Sequence, residues 1–247
     1  MSLWLPLSLS FLLLAIPVFL RPGAAPAPEF RGLLFLFWYL NNAYCAVVHR
    51  LRTERAPLPE TGPAILISNH TCNIDNFLLQ VGCGRKLGFM ISRDYYDVPA
   101  FRPFCKLVDC IPVDSSGKNT GATRAALRAL KEGRVLPIFP EGRMLPKSGL
   151  EFGEARPGVA FIAMKARVPV VPAYIRGTPP SNVLWRSFFT PSHARVLYGD
   201  PIDPSEFPEP EGHEAERRAL AEITDRLMGA IRALRDRAEL EEGRSGS

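Results

Sequence analysis

A histidine and an aspartate five residues apart, His70 and Asp75, follow an apolar run at 64–67 that is typical of a buried strand. On one continuous helix, residues five positions apart point about 140° away from each other and cannot touch. They can meet only if His70 lies on the turn after the strand and Asp75 lies in the first turn of a helix over 74–81. The carboxylate would then fix the tautomer of the imidazole, whose other nitrogen becomes a general base for a hydroxyl proton. A structural histidine beside a capping aspartate is the alternative interpretation.

A second polar cluster, Pro140-Glu141-Gly142-Arg143, follows an apolar strand predicted at 135–139. Ligands of open α/β sheets bind at the carboxyl ends of the strands, so we expect this cluster to lie at the same edge as His70. Glu141 could hold an acceptor hydroxyl or organise the loop, and Arg143 could form paired hydrogen bonds with a phosphate or carboxylate. Taken alone, the four residues also fit an ordinary turn with a surface arginine.

Short apolar strands alternate with helices between residues 56 and 200. This alternation predicts an α/β fold, in which a mixed, largely parallel sheet is covered by helices on both faces. The predicted strands are 64–67, 87–91, 110–113, 135–139, 168–175 and 194–198, and the predicted helices between them are 74–81, 99–107, 120–132 and 158–167. An amphipathic helix at 214–237 is expected to dock on this domain, which we place at 56–240, and residues 241–247 are expected to be frayed.

Residues 1–55 are predicted to anchor the protein on a membrane. Residues 2–20 carry no charge and are just long enough to cross a bilayer. The aromatic run at 32–48 is interrupted by two asparagines and favours an interfacial or re-entrant helix. Three basic residues after it favour the cytoplasmic side for the rest of the chain: Arg50, Arg52 and Arg55. A signal peptide cleaved near 23–27 is the alternative, although no Lys or Arg precedes the apolar run.

Composition narrows the possible partners. The chain has 247 residues, 47% of them hydrophobic, which excludes a disordered protein and allows one full domain with an appendage. A formal net charge of +5 favours an anionic partner, either a membrane or a nucleic acid. The aromatic residues concentrate in the apolar N-terminus and not on a basic face, so we expect a membrane surface and no nucleic acid.

The five cysteines predict neither a disulfide framework nor a thiolate zinc site, because their number is odd and no C-x-x-C pair is present. A reducing compartment is the simplest interpretation. Cys72, two residues after His70, could be proposed as a nucleophile, but it also fits as a small apolar residue at a strand-to-helix turn. A serine hydrolase or thioesterase would need G-x-S-x-G, which the chain lacks. A nucleotide-binding module would need a glycine-rich phosphate loop, which is also absent.

Four stretches in order resemble the conserved blocks of the glycerolipid O-acyltransferases, the family of 1-acylglycerol-3-phosphate acyltransferase. The resemblance covers about 63–200 and is carried by N-H-x-x-x-x-D at Asn69, His70 and Asp75, by Ile111-Pro112-Val113-Asp114, by Phe139-Pro140-Glu141-Gly142 and by Val168-Pro169-Val170-Val171-Pro172. Two positions depart from the common pattern. Ser115 stands where an arginine often follows the aspartate, and Arg143 directly follows Gly142 where the pattern has threonine before arginine.

The resemblance implies acyl transfer from a thioester, acyl-CoA or acyl carrier protein, to a hydroxyl of a membrane glycerolipid, most directly lysophosphatidate. It implies no cofactor, no metal and no covalent enzyme intermediate. Backbone N–H groups near the start of the helix after His70 are the expected oxyanion donors. It assigns His70 and Asp75 to catalysis and five residues to substrate binding: Asn69, Asp114, Glu141, Gly142 and Arg143.

The two departures concern cations associated with the phosphate of the acceptor. A zwitterionic lysophospholipid, a lyso-aminolipid and glycerol 3-phosphate are therefore alternative acceptors. Three other cations could replace the missing arginine: Arg93, Lys106 and Lys118. A thioesterase and a non-catalytic membrane-bound module are the alternatives from other classes.

Overall fold

A computed structural model describes residues 25–113, 120–144, 148–149, 151–179, 181 and 183–245. The predicted anchoring run at 2–20 lies outside the described residues. The same is true of Asp114, Ser115 and Lys118.

Seven strands are present in the described chain: β1 (Arg52–Thr53), β2 (Ala64–Ser68), β3 (Met90–Ser92), β4 (Ile111–Val113), β5 (Val135–Ile138), β6 (Val170–Arg176) and β7 (Arg195–Tyr198). Five of them form a central sheet in the order β1-β7-β6-β2-β5. Every neighbouring pair in it is parallel except β6 with β7, which confirms the mixed, largely parallel sheet. Strands β3 and β4 form a separate parallel pair, so the predicted strands are divided between two sheets.

The described helices are α1 (Gly32–Val47), α2 (Asp75–Gly82), α3 (Arg93–Tyr96), α4 (Arg102–Leu107), α5 (Thr120–Lys131), α6 (Pro157–Ala166), α7 (Leu184–Phe189) and α8 (His213–Ser245), with a 3₁₀ turn at Pro204–Glu206. The sequence pattern does not predict α3 or α7. Both are short, and helices of this length depend on tertiary packing more than on local propensity.

Helices cover both faces of the central sheet, as the alternation predicts. Every residue of β2 is buried, and its side chains alternate between two core clusters. Leu66 packs with residues of α1 and α2 on one face, whereas Ile65 and Ile67 pack with residues of α5, α6 and α8 on the other. A strand buried on both faces has a continuous apolar sequence, which is why β2 is the most recognisable strand of the chain.

Helix α1 is docked on the domain through one face and exposes apolar side chains on another. Its two asparagines, which interrupt the apolar run, are buried. Nδ2 of Asn41 donates a hydrogen bond to the carbonyl oxygen of Phe77 in α2, and Nδ2 of Asn42 donates to the carbonyl oxygen of Trp38. No helix within the described residues is both long and apolar enough to cross a membrane.

The C-terminal helix is longer than the sequence predicts. Residues 241–245, expected to be frayed, are helical and belong to α8. Glu242 forms an ion pair of 2.7 Å with Arg176 at the end of β6, and Glu241 pairs with Arg195 of β7. These acidic residues attach the last turns of the helix to the sheet, a tertiary contact that the local sequence does not indicate.

Candidate active site

The loop that carries His70 is fixed to strand β6 by Asn69. The pairing of β2 with β6 ends at Ser68. Beyond it, Nδ2 of Asn69 donates to the carbonyl oxygen of Ile175 at 2.9 Å, and Oδ1 of Asn69 accepts from the N–H of Ile175 at 2.8 Å. The side-chain amide thus continues the sheet's hydrogen bonding for one more step. We infer that Asn69 positions the next residue, His70, while its predicted contact with substrate stays a prediction.

His70 and Asp75 are in contact, in the arrangement that their spacing predicts. Nδ1 of His70 lies 2.7 Å from Oδ2 of Asp75, the first residue of α2. The Asp75 side chain is 1% exposed and that of His70 is 18% exposed. Nε2 of His70 has no hydrogen-bond partner within the described part of the chain. The ring therefore offers one nitrogen to a substrate while the other is held by a buried carboxylate.

The Asp75 carboxylate is held by several donors besides the histidine. The backbone N–H groups of Thr71 and Cys72 donate to its Oδ2 at 2.6 and 3.0 Å, and the Thr71 hydroxyl donates to its Oδ1. Burying a carboxylate is costly unless such donors replace water. The network compensates that cost and leaves the carboxylate one orientation. The sequence analysis assigns no role to Thr71. Its position directly after His70 is the feature from which such a role could have been predicted.

Glu141 joins the second polar cluster to the histidine loop. Its side chain is buried, and its Oε1 accepts a hydrogen bond of 3.2 Å from the backbone N–H of His70. Burial raises the pKa of the Glu141 carboxyl, and the backbone groups of His70 and Gly153 oppose that shift. Of the two predicted roles, this contact supports loop organisation. The ring of Phe139 makes a further contact with the histidine loop, since it stacks on the His70 imidazole at a centroid distance of 4.1 Å.

Gly142 and Arg143 form the exposed end of the same turn. Gly142 adopts a φ of +70°, a left-handed conformation that favours glycine. A Cβ atom at this position would lie 2.8 Å from Cδ of Arg156, so the Arg156 side chain crosses directly over the glycine. Arg143 is exposed and has no hydrogen bond or ion pair with any described residue. Substrate contacts of Gly142 and Arg143 stay predictions.

A family model described as Acyltransferase matches residues 50–176, which is slightly more than half of the chain. The chain belongs to the acyltransferase family. The matched region contains both polar clusters, and the resemblance found in the sequence is confirmed at the family level. The protein is an O-acyltransferase.

Two named proteins are similar to this acyltransferase in amino-acid sequence. It is 24% identical over 183 residues to the 1-acyl-sn-glycerol-3-phosphate acyltransferase of Bacillus subtilis, covering 74% of this chain and 86% of the relative. It is 29% identical over 169 residues to a probable enzyme of the same name from Mycoplasma pneumoniae, covering 61% and 58%.

The fold of the acyltransferase is similar to that of a solved relative. The crystal structure of the 1-acyl-sn-glycerophosphate (LPA) acyltransferase PlsC from Thermotoga maritima matches with a TM-score of 0.60 and 22% sequence identity. The match covers 83% of each chain. The likeness therefore extends well beyond the four sequence blocks and establishes the shared fold.

The cysteines of the acyltransferase are unsuited to nucleophilic chemistry. All five are buried and free. Burial and the neighbouring Asp75 raise the pKa of the Cys72 thiol far above its ordinary value, which disfavours the thiolate that a nucleophile requires. Within the described residues, no three His, Cys, Asp or Glu side chains are grouped so that they could hold a metal ion.

The sequence does not predict that Gly149, Gly153 and Arg156 pack against the two polar clusters. Gly149 lies against Thr71, since an added Cβ atom would be 3.4 Å from the threonine Cβ. Gly153 lies against Glu141, whose Oε2 would be 2.7 Å from an added Cβ atom. The backbone N–H of Arg156 then donates to the carbonyl oxygen of Pro140 at 2.8 Å. Two glycines four residues apart were the available signal for this close approach.

Proposed function

We propose that this acyltransferase transfers an acyl group from acyl-CoA or acyl carrier protein to the free hydroxyl of a lysophospholipid. The most direct acceptor is 1-acylglycerol-3-phosphate, which would give phosphatidate. The observation that carries the proposal is the contact between His70 and Asp75 at the edge of the sheet, where Nε2 of the histidine has no partner among the described residues. The names of the Bacillus and Mycoplasma relatives support the choice of acceptor.

In the proposed reaction His70 is the general base. Its Nε2 takes the proton of the acceptor hydroxyl as the oxygen attacks the thioester carbonyl carbon. The carbon–sulfur bond of the tetrahedral intermediate then breaks, and the leaving thiolate receives the proton from Nε2. Asp75 holds the imidazole tautomer and stabilises its positive charge between the two steps. No atom of the enzyme forms a bond with the acyl group.

Three backbone N–H groups, those of residues 70–72, are not available to the tetrahedral oxyanion, although the sequence places its donors near the start of the following helix. The backbone N–H of His70 donates to Glu141, and those of Thr71 and Cys72 donate to Asp75. Three consecutive backbone N–H groups after β2 therefore already donate hydrogen bonds to carboxylates. We propose that the oxyanion is bound by groups outside this run.

Thiol release from acyl-CoA, measured with and without lysophosphatidate, tests the reaction. The transferase proposal expects release that depends on acceptor, together with formation of diacylated product. Acceptor-independent release would favour a thioesterase, and no release with either thioester donor would favour a non-catalytic module. His70→Ala is expected to lower kcat by roughly 10² to 10⁴-fold, the usual contribution of a positioned base. Normal turnover in a folded His70→Ala variant would contradict the proposed mechanism.

We also propose that the enzyme works on a membrane surface with its catalytic domain on the cytoplasmic side. Helix α1 exposes a stripe of apolar side chains, namely Leu33, Leu36, Leu40 and Val47. Helix α7 lies beside it, because the Tyr44 ring stacks on Phe188 at 5.5 Å. Trp185 and Phe189 of α7 stack on each other and are 63% and 74% exposed. Aromatic residues of this kind favour the membrane interface.

Cosedimentation of the full chain with vesicles of phosphatidylglycerol and phosphatidylcholine tests this surface. Replacing Trp185 and Phe189 together by alanine is expected to lower the vesicle partition coefficient about tenfold or more, since two aromatic side chains that would be buried in the membrane interface are lost. Leu240→Ala, at an exposed apolar residue of α8, is the matched control. Unchanged partition of the double variant would contradict the role of α7. Protease protection of the domain in vesicles that expose the cytosolic face would contradict the orientation.

A further inference from the structure

A cavity of about 750 Å³ opens at the same edge of the central sheet as His70, but on the opposite side of β6. Its walls come from β1, the end of β6, the start of β7 and the last turns of α8. None of the described residues that line it belongs to the histidine loop or to the turn after β5. The cavity is therefore a second concave site, which the proposed reaction does not use.

The cavity carries a positive charge that no carboxylate compensates. Arg50 and Arg52 line it, and both are exposed. Neither has an ion pair with any described residue. The glutamates of the cavity wall do not supply one, because each is already paired with another arginine. The pairs are Glu54–Arg237, Glu241–Arg195 and Glu242–Arg176. The remaining charge favours an anionic ligand.

The guanidinium group of Arg50 is fixed beside the cavity. The backbone of Arg50 has a φ of +41°, a left-handed conformation that is unfavourable for a residue with a Cβ atom. Its Nη1 donates a hydrogen bond of 2.9 Å to Nε2 of His193, which also lines the cavity. The other N–H groups of this guanidinium have no acceptor among the described residues. They remain available to a ligand.

Helices α1 and α7, whose exposed apolar side chains form the proposed membrane surface, both end next to the cavity. Arg50 follows the end of α1 by three residues, and His193 follows the end of α7 by four. The segments after the two helices run side by side, because the N–H of Ala194 donates to the carbonyl oxygen of His49 at 2.9 Å. The last residue of each helix is apolar and largely exposed. An apolar surface and an anion site are thus adjacent.

We propose that this cavity binds the phosphate of an anionic phospholipid of the bilayer, an inference that rests on the proposed membrane surface. Arg50 and Arg52 donate charge-assisted hydrogen bonds to the phosphate oxygens. The acyl chains of the lipid lie along the exposed ends of α1 and α7. Because the cavity shares an edge of the sheet with His70, the bound head group holds this edge at the level of the lipid phosphates.

Calorimetric titration of the full chain with monomeric dihexanoyl phosphatidylglycerol tests the site without a membrane. Arg52→Gln is expected to weaken binding about fivefold, the contribution of one arginine near an anionic head group. Arg50→Gln should act in the same way. Arg55→Gln is the matched control, because it removes the same charge from an exposed residue of the same segment that does not line the cavity. It should change binding less than twofold.

An equal loss in Arg52→Gln and Arg55→Gln would show only delocalised attraction and would overturn the site. Absence of binding to the wild-type protein would overturn it as well.

Two soluble phosphate compounds distinguish a lipid from a free ligand. Glycerophosphoglycerol has the head group of phosphatidylglycerol without its chains, and coenzyme A carries several phosphates. Both should bind at these arginines at least tenfold more weakly than the short-chain lipid, because they bury no acyl chain against the apolar helix ends. Binding of either compound that is as tight as that of the lipid, and that Arg52→Gln weakens, would overturn the lipid assignment.

Activity measurements separate this inference from the proposed function. In neutral detergent micelles, Arg52→Gln should keep kcat within twofold of the wild-type value, since no described contact joins Arg52 to the histidine loop. A larger fall would place Arg52 in the reaction and contradict a separate lipid site. If the wild-type protein acylates no acceptor, but Arg52→Gln and Arg55→Gln still differ in binding the short-chain lipid, the lipid site stands and the proposed reaction fails.

Discussion

The backbone N–H of His70 donates a hydrogen bond of 3.2 Å to Oε1 of Glu141, which lies 71 residues further along the chain. The ring of the same histidine is held at Nδ1 by Asp75. Two buried carboxylates therefore fix one residue, one at its backbone and one at its side chain. Positioning of this kind matters because a misplaced base loses much of its contribution to rate.

Asp75→Asn is expected to impair both catalysis and stability. An amide has one oxygen and one NH₂ group, so it cannot accept all the hydrogen bonds that Thr71, Cys72 and His70 donate to the carboxylate. Leaving one buried donor unpaired costs about 1–3 kcal/mol. Loss of the negative charge also removes the stabilisation of the imidazolium, so kcat should fall at least tenfold. Urea unfolding and steady-state kinetics measure the two effects, and a variant with normal kcat would contradict the role of Asp75.

Cys72→Ala is expected to leave the reaction almost unchanged, although the residue lies two positions from His70. The thiol is fully buried and its pKa is raised by burial and by Asp75, so it is not a nucleophile. The small cavity that the substitution leaves should cost about 1 kcal/mol of stability. Thiol-alkylating reagents at pH 7.5 should not inhibit the folded wild-type enzyme. A large fall in kcat with unchanged stability would show that the thiol takes part in catalysis.

Glu141→Gln is expected to change how stability depends on pH. Burial raises the pKa of the Glu141 carboxyl, so the folded state keeps a proton that the unfolded state has already lost. The free energy of unfolding therefore falls as pH rises from the ordinary glutamate range through the raised pKa. Glutamine still offers an oxygen to the His70 N–H but removes the buried charge.

The variant should therefore be at least as stable as the wild-type protein at pH 7. Its advantage should disappear as the pH is lowered below the ordinary glutamate pKa of 4.5, because the wild-type carboxyl is then neutral in both states. Urea unfolding at pH 4, 5.5 and 7 measures the difference. An advantage that grows toward low pH would contradict the assigned direction of the shift.

Asn69→Ala is expected to reduce activity because His70 is no longer held in position, and not because a contact with substrate is lost. The substitution leaves both the N–H and the carbonyl oxygen of Ile175 without their side-chain partner. We expect a loss of about 1–3 kcal/mol in stability and a fall in kcat, while KM for both substrates stays near the wild-type value. A rise in KM for the acceptor with normal stability would instead show that Asn69 binds substrate.

Much of the site was predictable because the relevant relationships are local in sequence. A spacing of five positions from His70 to Asp75 permits contact only across a strand-to-helix turn, and the apolar run before them is long enough for one buried strand. The strand predicted just before Pro140 placed Glu141 at the same edge, because the carboxyl ends of the strands of an open α/β sheet carry the ligand site. The two-sided burial of β2 follows from the same continuous apolar pattern.

The sequence alone determined the acyltransferase family, the α/β class and the histidine–aspartate pair, since each depends on short-range patterns. Only the tertiary structure decided which polar groups are already occupied and which are free. It commits the amides of residues 70–72 to two carboxylates, extends α8 to Ser245 and places Arg156 over Gly142. These contacts join segments far apart in the chain, and their geometry depends on backbone angles and packing that no local pattern specifies.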